Sequence, residues 1–161
     1  MCYNNIALLN RAKLRKRVIV IEEYENLNVV VDPEIITNSF SNLPFPLRKN
    51  YKEYCKSFKG KKKEDANVTL ALEIRNALKT KYTKLYSIGN IVIIVKTRIS
   101  KNDSNKGKSS GWRIIGLLDH TNKMFILFNV YSHAQGIDNI TKEEKEELIK
   151  IAKEYHKELN I

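Results

Sequence analysis

This sequence is short of cysteine, of long apolar runs and of acid to balance its bases. Two cysteines occur in 161 residues, Cys2 and Cys55, with no CxxC or other metal-ligand spacing around either. No Cys-built metal site is expected, and a reducing, cytoplasmic setting is the simplest reading. No stretch approaches the roughly 18 unbroken apolar residues that span a bilayer, so no membrane association through a helix is expected. The apolar run 6–9 is too short for the core of a secretory signal, and basic residues follow it instead of preceding it. A phosphate loop is also missing. Gly107-Lys108-Ser109 would need a glycine five positions before Gly107, and Asn102 stands there.

The shortage of acid is the informative one. Twenty-nine Lys and Arg against eighteen Asp and Glu give a formal charge of +11 and a sequence pI near 9.6. An excess of this size suits a polyanionic partner. The excess is also segregated. Residues 11–17 hold five basic residues and no acid, residues 48–63 eight and one acid, and residues 96–113 six and one acid. Residues 142–158 hold five lysines and six glutamates, which is near neutral. A generically lysine-rich protein would spread its cations more evenly.

Apolar residues make up 42% of the chain, enough for a core in one domain. Residues 1–17 read as a helix or arm with a basic end. The β-branched runs 18–21 and 29–31 flank an Asn-rich turn and suggest a hairpin. Asp32-Pro33 reads as an N-cap with proline at the first helical position, opening a short helix to about Phe40. From Leu47 the chain is helical again, with an interruption near Gly60-Lys61-Lys62-Lys63, which suggests two antiparallel helices joined by a basic turn. Leu70, Ile74, Ala77 and Leu78 keep helical spacing, although Val68 and Leu72 make the pattern too dense for a one-sided face. Strands are expected over 91–99, 112–118 and 125–131, the last two joined by the hairpin connection 119–123. Thr141 with Glu144 forms a capping box for a final helix striped by Leu148, Ala152, Tyr155 and Leu159.

An antiparallel meander of this kind places chemistry on one surface. Lys96 and Arg98 share a strand face because side chains alternate. Arg113 opens the next strand, after a loop bearing Lys106 and Lys108, and Tyr131 and His133 stand at the end of the third. Cleaving RNA by attack of a 2′-hydroxyl on its own phosphate needs a proton acceptor, a proton donor and cations for the developing charge. His133 titrates in the useful range, and an arginine fork grips phosphate oxygens in pairs. The expected catalytic set is Arg113, His133, Lys96 and Arg98, with Arg113 carrying surface charge and no part of the core. Lys106, Lys108, Tyr131 and the turn lysines Lys61, Lys62 and Lys63 are expected to bind RNA phosphates. His120, in a turn, and His156, on a charged helix, are assigned no role. No metal or other cofactor is required by this chemistry.

The segment Lys106-Gly107-Lys108-Ser109-Ser110-Gly111-Trp112-Arg113, followed by Ile114-Ile115, resembles the GKSGGYR-hydrophobic signature of RelE/HigB-type toxins of bacterial type II toxin–antitoxin systems. The likeness continues through 125–131 and the helix entry 139–144, and covers roughly residues 90–155. It implies an α+β fold, with N-terminal helices packed on an antiparallel sheet and a C-terminal helix. The domain reads as 1–161, with 88–161 carrying the motifs and 1–30 an extension without a counterpart. The resemblance further implies an endoribonuclease that cuts mRNA on the ribosome and is held by an acidic antitoxin. Arg113 falls on the family's arginine that steadies the scissile phosphate, Lys96 and Arg98 on its basic strand pair, and Lys106 and Lys108 on its basic loop. Ser110 departs from a common glycine, and His133 stands where relatives carry lysine. The alternative of another class is a non-catalytic RNA-binding protein, or a ParE-like inhibitor of a partner protein on the same fold.

Overall fold

Asp32 and Pro33 show how local chemistry starts the first helix. The computed structural model describes residues 26–58, 63–100, 111–132 and 139–159. In it the Asp32 carboxylate accepts from the Glu34 backbone N–H at 2.9 Å, and Pro33 opens helix α1, Pro33–Ser39. The cap satisfies an orphan amide, and proline forfeits only an N–H that the helix could not use. Helix α2, Leu47–Lys56, and helix α3, Lys63–Thr80, stand on either side of the expected interruption. Leu70, Ile74 and Leu78 are buried along α3, while Val68 and Leu72 face outward at 69% and 53% exposure. Two apolar residues on the water side account for the dense pattern.

Five strands form one sheet of order β1-β5-β4-β3-β2. They are β1 (Asn28–Val30), β2 (Thr83–Ile88), β3 (Val92–Ile99), β4 (Trp112–Asp119) and β5 (Met124–Ser132). From β3 to β5 the sheet is the antiparallel meander expected, and β2 extends it antiparallel to β3. Two features correct the reading from sequence. The sheet is mixed, because β1 runs parallel to β5 with Val29 opposite Phe125; β1 thereby pairs the backbone on the side of β5 that β4 leaves open. The strand β2 was also not anticipated. It is half exposed along its length, so it lacks the strong apolar signal of a core strand. The other half of the expected N-terminal hairpin, 18–21, lies outside the described residues, as does the arm 1–17.

Helix α2 packs on β5, α3 on β3 and β1, and α1 on α2 and β5. The final helix α4, Lys142–Glu158, packs on β3 and β2. Its capping box is formed as expected: Glu144 accepts from the Thr141 N–H at 2.7 Å, and Thr141 accepts from the Glu144 N–H at 3.1 Å. Leu148, Ile151, Ala152 and Tyr155 are its buried stripe. Every residue of β4 and β5 is buried. Since side chains alternate along a strand, both faces of these strands are covered.

Two fixtures hold the end of the sheet where β4 turns into β5. Asp119, fully buried, accepts from the Asn122 backbone N–H at 3.1 Å and side chain at 2.8 Å, and from the Tyr155 hydroxyl at 2.6 Å. The last bond ties α4 to the hairpin. Phe40 wedges between Phe128 and Tyr155, with ring centroids at 5.0 and 6.3 Å. Gly116 sits where the β4–β5 register shifts, and a Cβ there would run into the Phe125 ring and the Ile126 carbonyl. Gly116→Ala should therefore cost about 1–3 kcal/mol from overpacking. Tyr155→Phe should cost about 1.5–3 kcal/mol, the worth of a hydrogen bond to a buried carboxylate. Urea unfolding checks both, as a lowered midpoint with unchanged slope.

A candidate cationic site at one end of the sheet

The register places the sequence-predicted residues with little freedom. Arg98 stands opposite Arg113, and Arg113 opposite Tyr131. Lys96 stands opposite Ile115, and Ile115 opposite Asn129. Directly opposed residues project to the same side of a sheet, and so do residues two apart on one strand. The six positions form a grid, Arg98–Arg113–Tyr131 above Lys96–Ile115–Asn129. With strands about 4.8 Å apart, the grid is about 10 Å wide. Half of its members are cations.

The grid lies at the end of the sheet opposite the Asp119–Tyr155 lock. Asp119 lies six positions beyond Arg113 along β4, a rise of about 20 Å. Arg98 is the penultimate residue of β3 and Arg113 the second of β4, so the segment bearing Lys106 and Lys108 joins these two strands at this end. His133 follows Ser132, the last residue of β5. Lys106, Lys108, His133, Lys61 and Lys62 themselves lie outside the described residues. Lys63 is the first residue of α3, and its side chain lies outside them too.

Burial divides the grid. Arg98 is exposed and Lys96 half-buried, whereas Arg113 is 4% exposed and Tyr131 1%. Arg113 was expected as surface charge, and here the structure corrects the sequence. Covered strands draw in even their charged members, and a guanidinium so placed needs hydrogen bonds to replace water. One of its Nη1 bonds goes to the Gly111 carbonyl at 2.9 Å, which aims the fork back to where the chain rejoins the sheet. Two opposed arginines repel each other. An anion held between them would turn the repulsion into attraction.

Neighbouring residues fix this end of the sheet to α2. Trp112, beside Arg113, meets Tyr54 of α2 edge-on at 5.3 Å, and Tyr54 in turn packs on Phe58. Asn50 of α2 donates from Nδ2 to Asn129 Oδ1 at 2.8 Å, both amides buried. Burial pushes the hydroxyl of Tyr51 on the same helix far above the ordinary phenol range, with Cys55 and Asp32 adding to the effect. It stays neutral and serves packing. The Asn50–Asn129 pair escaped the sequence reading. The one available signal was an asparagine inside the otherwise apolar run 124–130.

A family model described as the RelE toxin of the RelE/RelB toxin–antitoxin system matches residues 52–160, more than half of the chain. The chain belongs to the RelE toxin family. The toxin is accordingly one half of a toxin–antitoxin pair, with a cognate antitoxin as its partner. No curated protein and no solved structure matches it. Among the described residues, no helix of the toxin is long and apolar enough to cross a membrane, and no three His, Cys, Asp or Glu gather as a metal site.

The unequal burial of the two opposed arginines has a measurable consequence. Arg113→Ala in the toxin empties a packed position and leaves the Gly111 carbonyl without its donor, so it should cost about 1–3 kcal/mol. Arg98→Ala removes an exposed side chain and should stay within about 0.5 kcal/mol of wild type. Equal midpoints for the two variants in urea would contradict the burial of Arg113.

Proposed function

We propose that the toxin is an endoribonuclease that cleaves mRNA on the ribosome by 2′-hydroxyl attack on the adjacent phosphate, using its own side chains. The observation that carries this reading is the opposed pair Arg98–Arg113 with Lys96 on the same side. Three cations within about 10 Å suit a phosphate whose charge grows in the transition state. Arg113 supplies the fixed fork, because a strand residue tied to a carbonyl reorganises less than a hydrated lysine. Arg98 and Lys96 reach the phosphate from the water side. His133 takes the proton role, and Lys106, Lys108 and the turn lysines 61–63 draw in the RNA backbone. Tyr131, covered in the free toxin, serves as the floor on which Arg113 rests. An acidic antitoxin segment over the grid is the reading's account of how the toxin is held inactive in the cell.

Cleavage of ribosome-bound and free RNA by purified variants tests the proposal. Arg98→Ala, which leaves the core intact, should lower the rate by about a hundredfold, as loss of one charge-stabilising donor does. Arg113→Lys keeps the charge but loses the fork, and should fall comparably with less harm to folding than Arg113→Ala. His133→Ala should flatten the pH–rate profile between about pH 5 and 8. Wild-type rates in both arginine variants would place the active site elsewhere. Tight RNA binding with no cleavage by the wild-type toxin would favour the non-catalytic alternative.

A further inference from the structure

The outward face of α2 is charged mainly with one sign. Leu47, Asn50, Tyr51 and Tyr54 face the core, and the exposed positions are Arg48, Lys49, Lys52, Glu53 and Lys56. Four cations thus face water with one carboxylate. Arg48 is engaged in a two-pronged pair with Glu34, at 3.0 and 3.1 Å. Lys56 meets Glu53 at 3.1 Å, an exposed contact of the kind worth little in water. Lys49 and Lys52 have no ion pair among the described residues. Lys49, Lys52 and Lys56 sit at i, i+3 and i+7, one stripe of a helix. The same protein builds α4 with five lysines and six glutamates interleaved, so a solvated helix here has no need of unbalanced charge.

The stripe is also aimed. Tyr54, on the buried side of the same turns, meets Trp112 at 5.3 Å, and Trp112 adjoins Arg113. Asn50 of the same helix bonds Asn129 of the grid, so α2 lies beside the grid. From Lys49 to Lys56 the helix rises about 10 Å, the length of about three phosphates along a nucleic-acid strand. We infer that the Lys49–Lys52–Lys56 stripe of α2 is a second RNA-backbone surface, which holds the strand that leaves the Arg98–Arg113 grid. It lies outside the reacting groups, and it rests on the proposal that the grid itself takes RNA. A surface of this kind sets affinity and salt dependence without touching the chemical step.

Two RNA probes separate the stripe from the grid: a tetranucleotide, short enough for the grid alone, and a single strand of about twenty nucleotides. The triple variant Lys49→Ala, Lys52→Ala, Lys56→Ala changes only exposed helix positions to a good helix former, and circular dichroism confirms its fold. For the longer strand, its affinity should fall roughly fiftyfold at 0.15 M salt, and the salt dependence should lose about two powers, 0.7 for each contact. Binding and cleavage of the tetranucleotide should match wild type, so the loss appears in KM and not in kcat. Arginine at the same three positions should restore both the affinity and the salt slope. An unchanged salt slope in the triple variant overturns the stripe while leaving the grid reading intact. A wild-type toxin that binds neither probe overturns both. If polyglutamate of equal charge displaces the longer strand as well as the unlabelled strand does, the surface is built for an acidic polypeptide and the inference fails.

Discussion

No side chain of β4 or β5 faces water, and that constraint governs the rest of the molecule. A polar group on a strand covered on both sides must find its partner in another element or pay the full cost of desolvation. Asp119 finds Asn122 and Tyr155, and so fixes the hairpin and the last helix together. Asn129 finds Asn50 and so fixes α2. Arg113 turns to the Gly111 carbonyl. Asp119 and Asn129 thus double as fastenings between elements, so two polar residues of the central strands position two helices.

The same constraint explains what could be read from sequence. Helix starts were legible because caps are local: Asp32-Pro33 and Thr141–Glu144 specify their geometry within four residues. The three core strands were legible because each carries a run of four or more apolar residues or an apolar stretch broken by a single polar one. By contrast, β2 has half-exposed residues and sits at the rim of the described sheet, where burial imposes no pattern. The parallel pairing of β1 depends on a strand distant in the chain, which no local pattern encodes. Among the site residues, the shared side of Lys96 and Arg98 followed from alternation alone. The opposition of Arg98 to Arg113 needed the register, and the burial of Arg113 needed the helices. An arginine looks equally charged in sequence whether it is bathed or covered.

Covering one arginine and exposing its opposite gives the pair two different characters. The covered one is oriented by its surroundings and strongly coupled to any charge that approaches, because little water stands between them. The exposed one is screened by salt and free to follow a ligand. Lys96, half-buried, stands between these extremes. A graded set of this kind couples long-range capture to close fixation within a single row of strands, and the charge excess on α2 extends the capture outward.

The parallel strand β1 has a consequence for the making of the protein. Val30 pairs with Ile126, so close to a hundred residues must be spanned before that ladder can form. At a synthesis rate of about 5–20 residues per second, β1 waits on the order of 5–20 s for its partner to be made. The hairpins from β2 to β5 need no such delay, because each joins neighbours in the chain. The meander can therefore pair strand by strand as it is made, with β1 added after β5. Among the described strands, the first to be translated is the last to be seated.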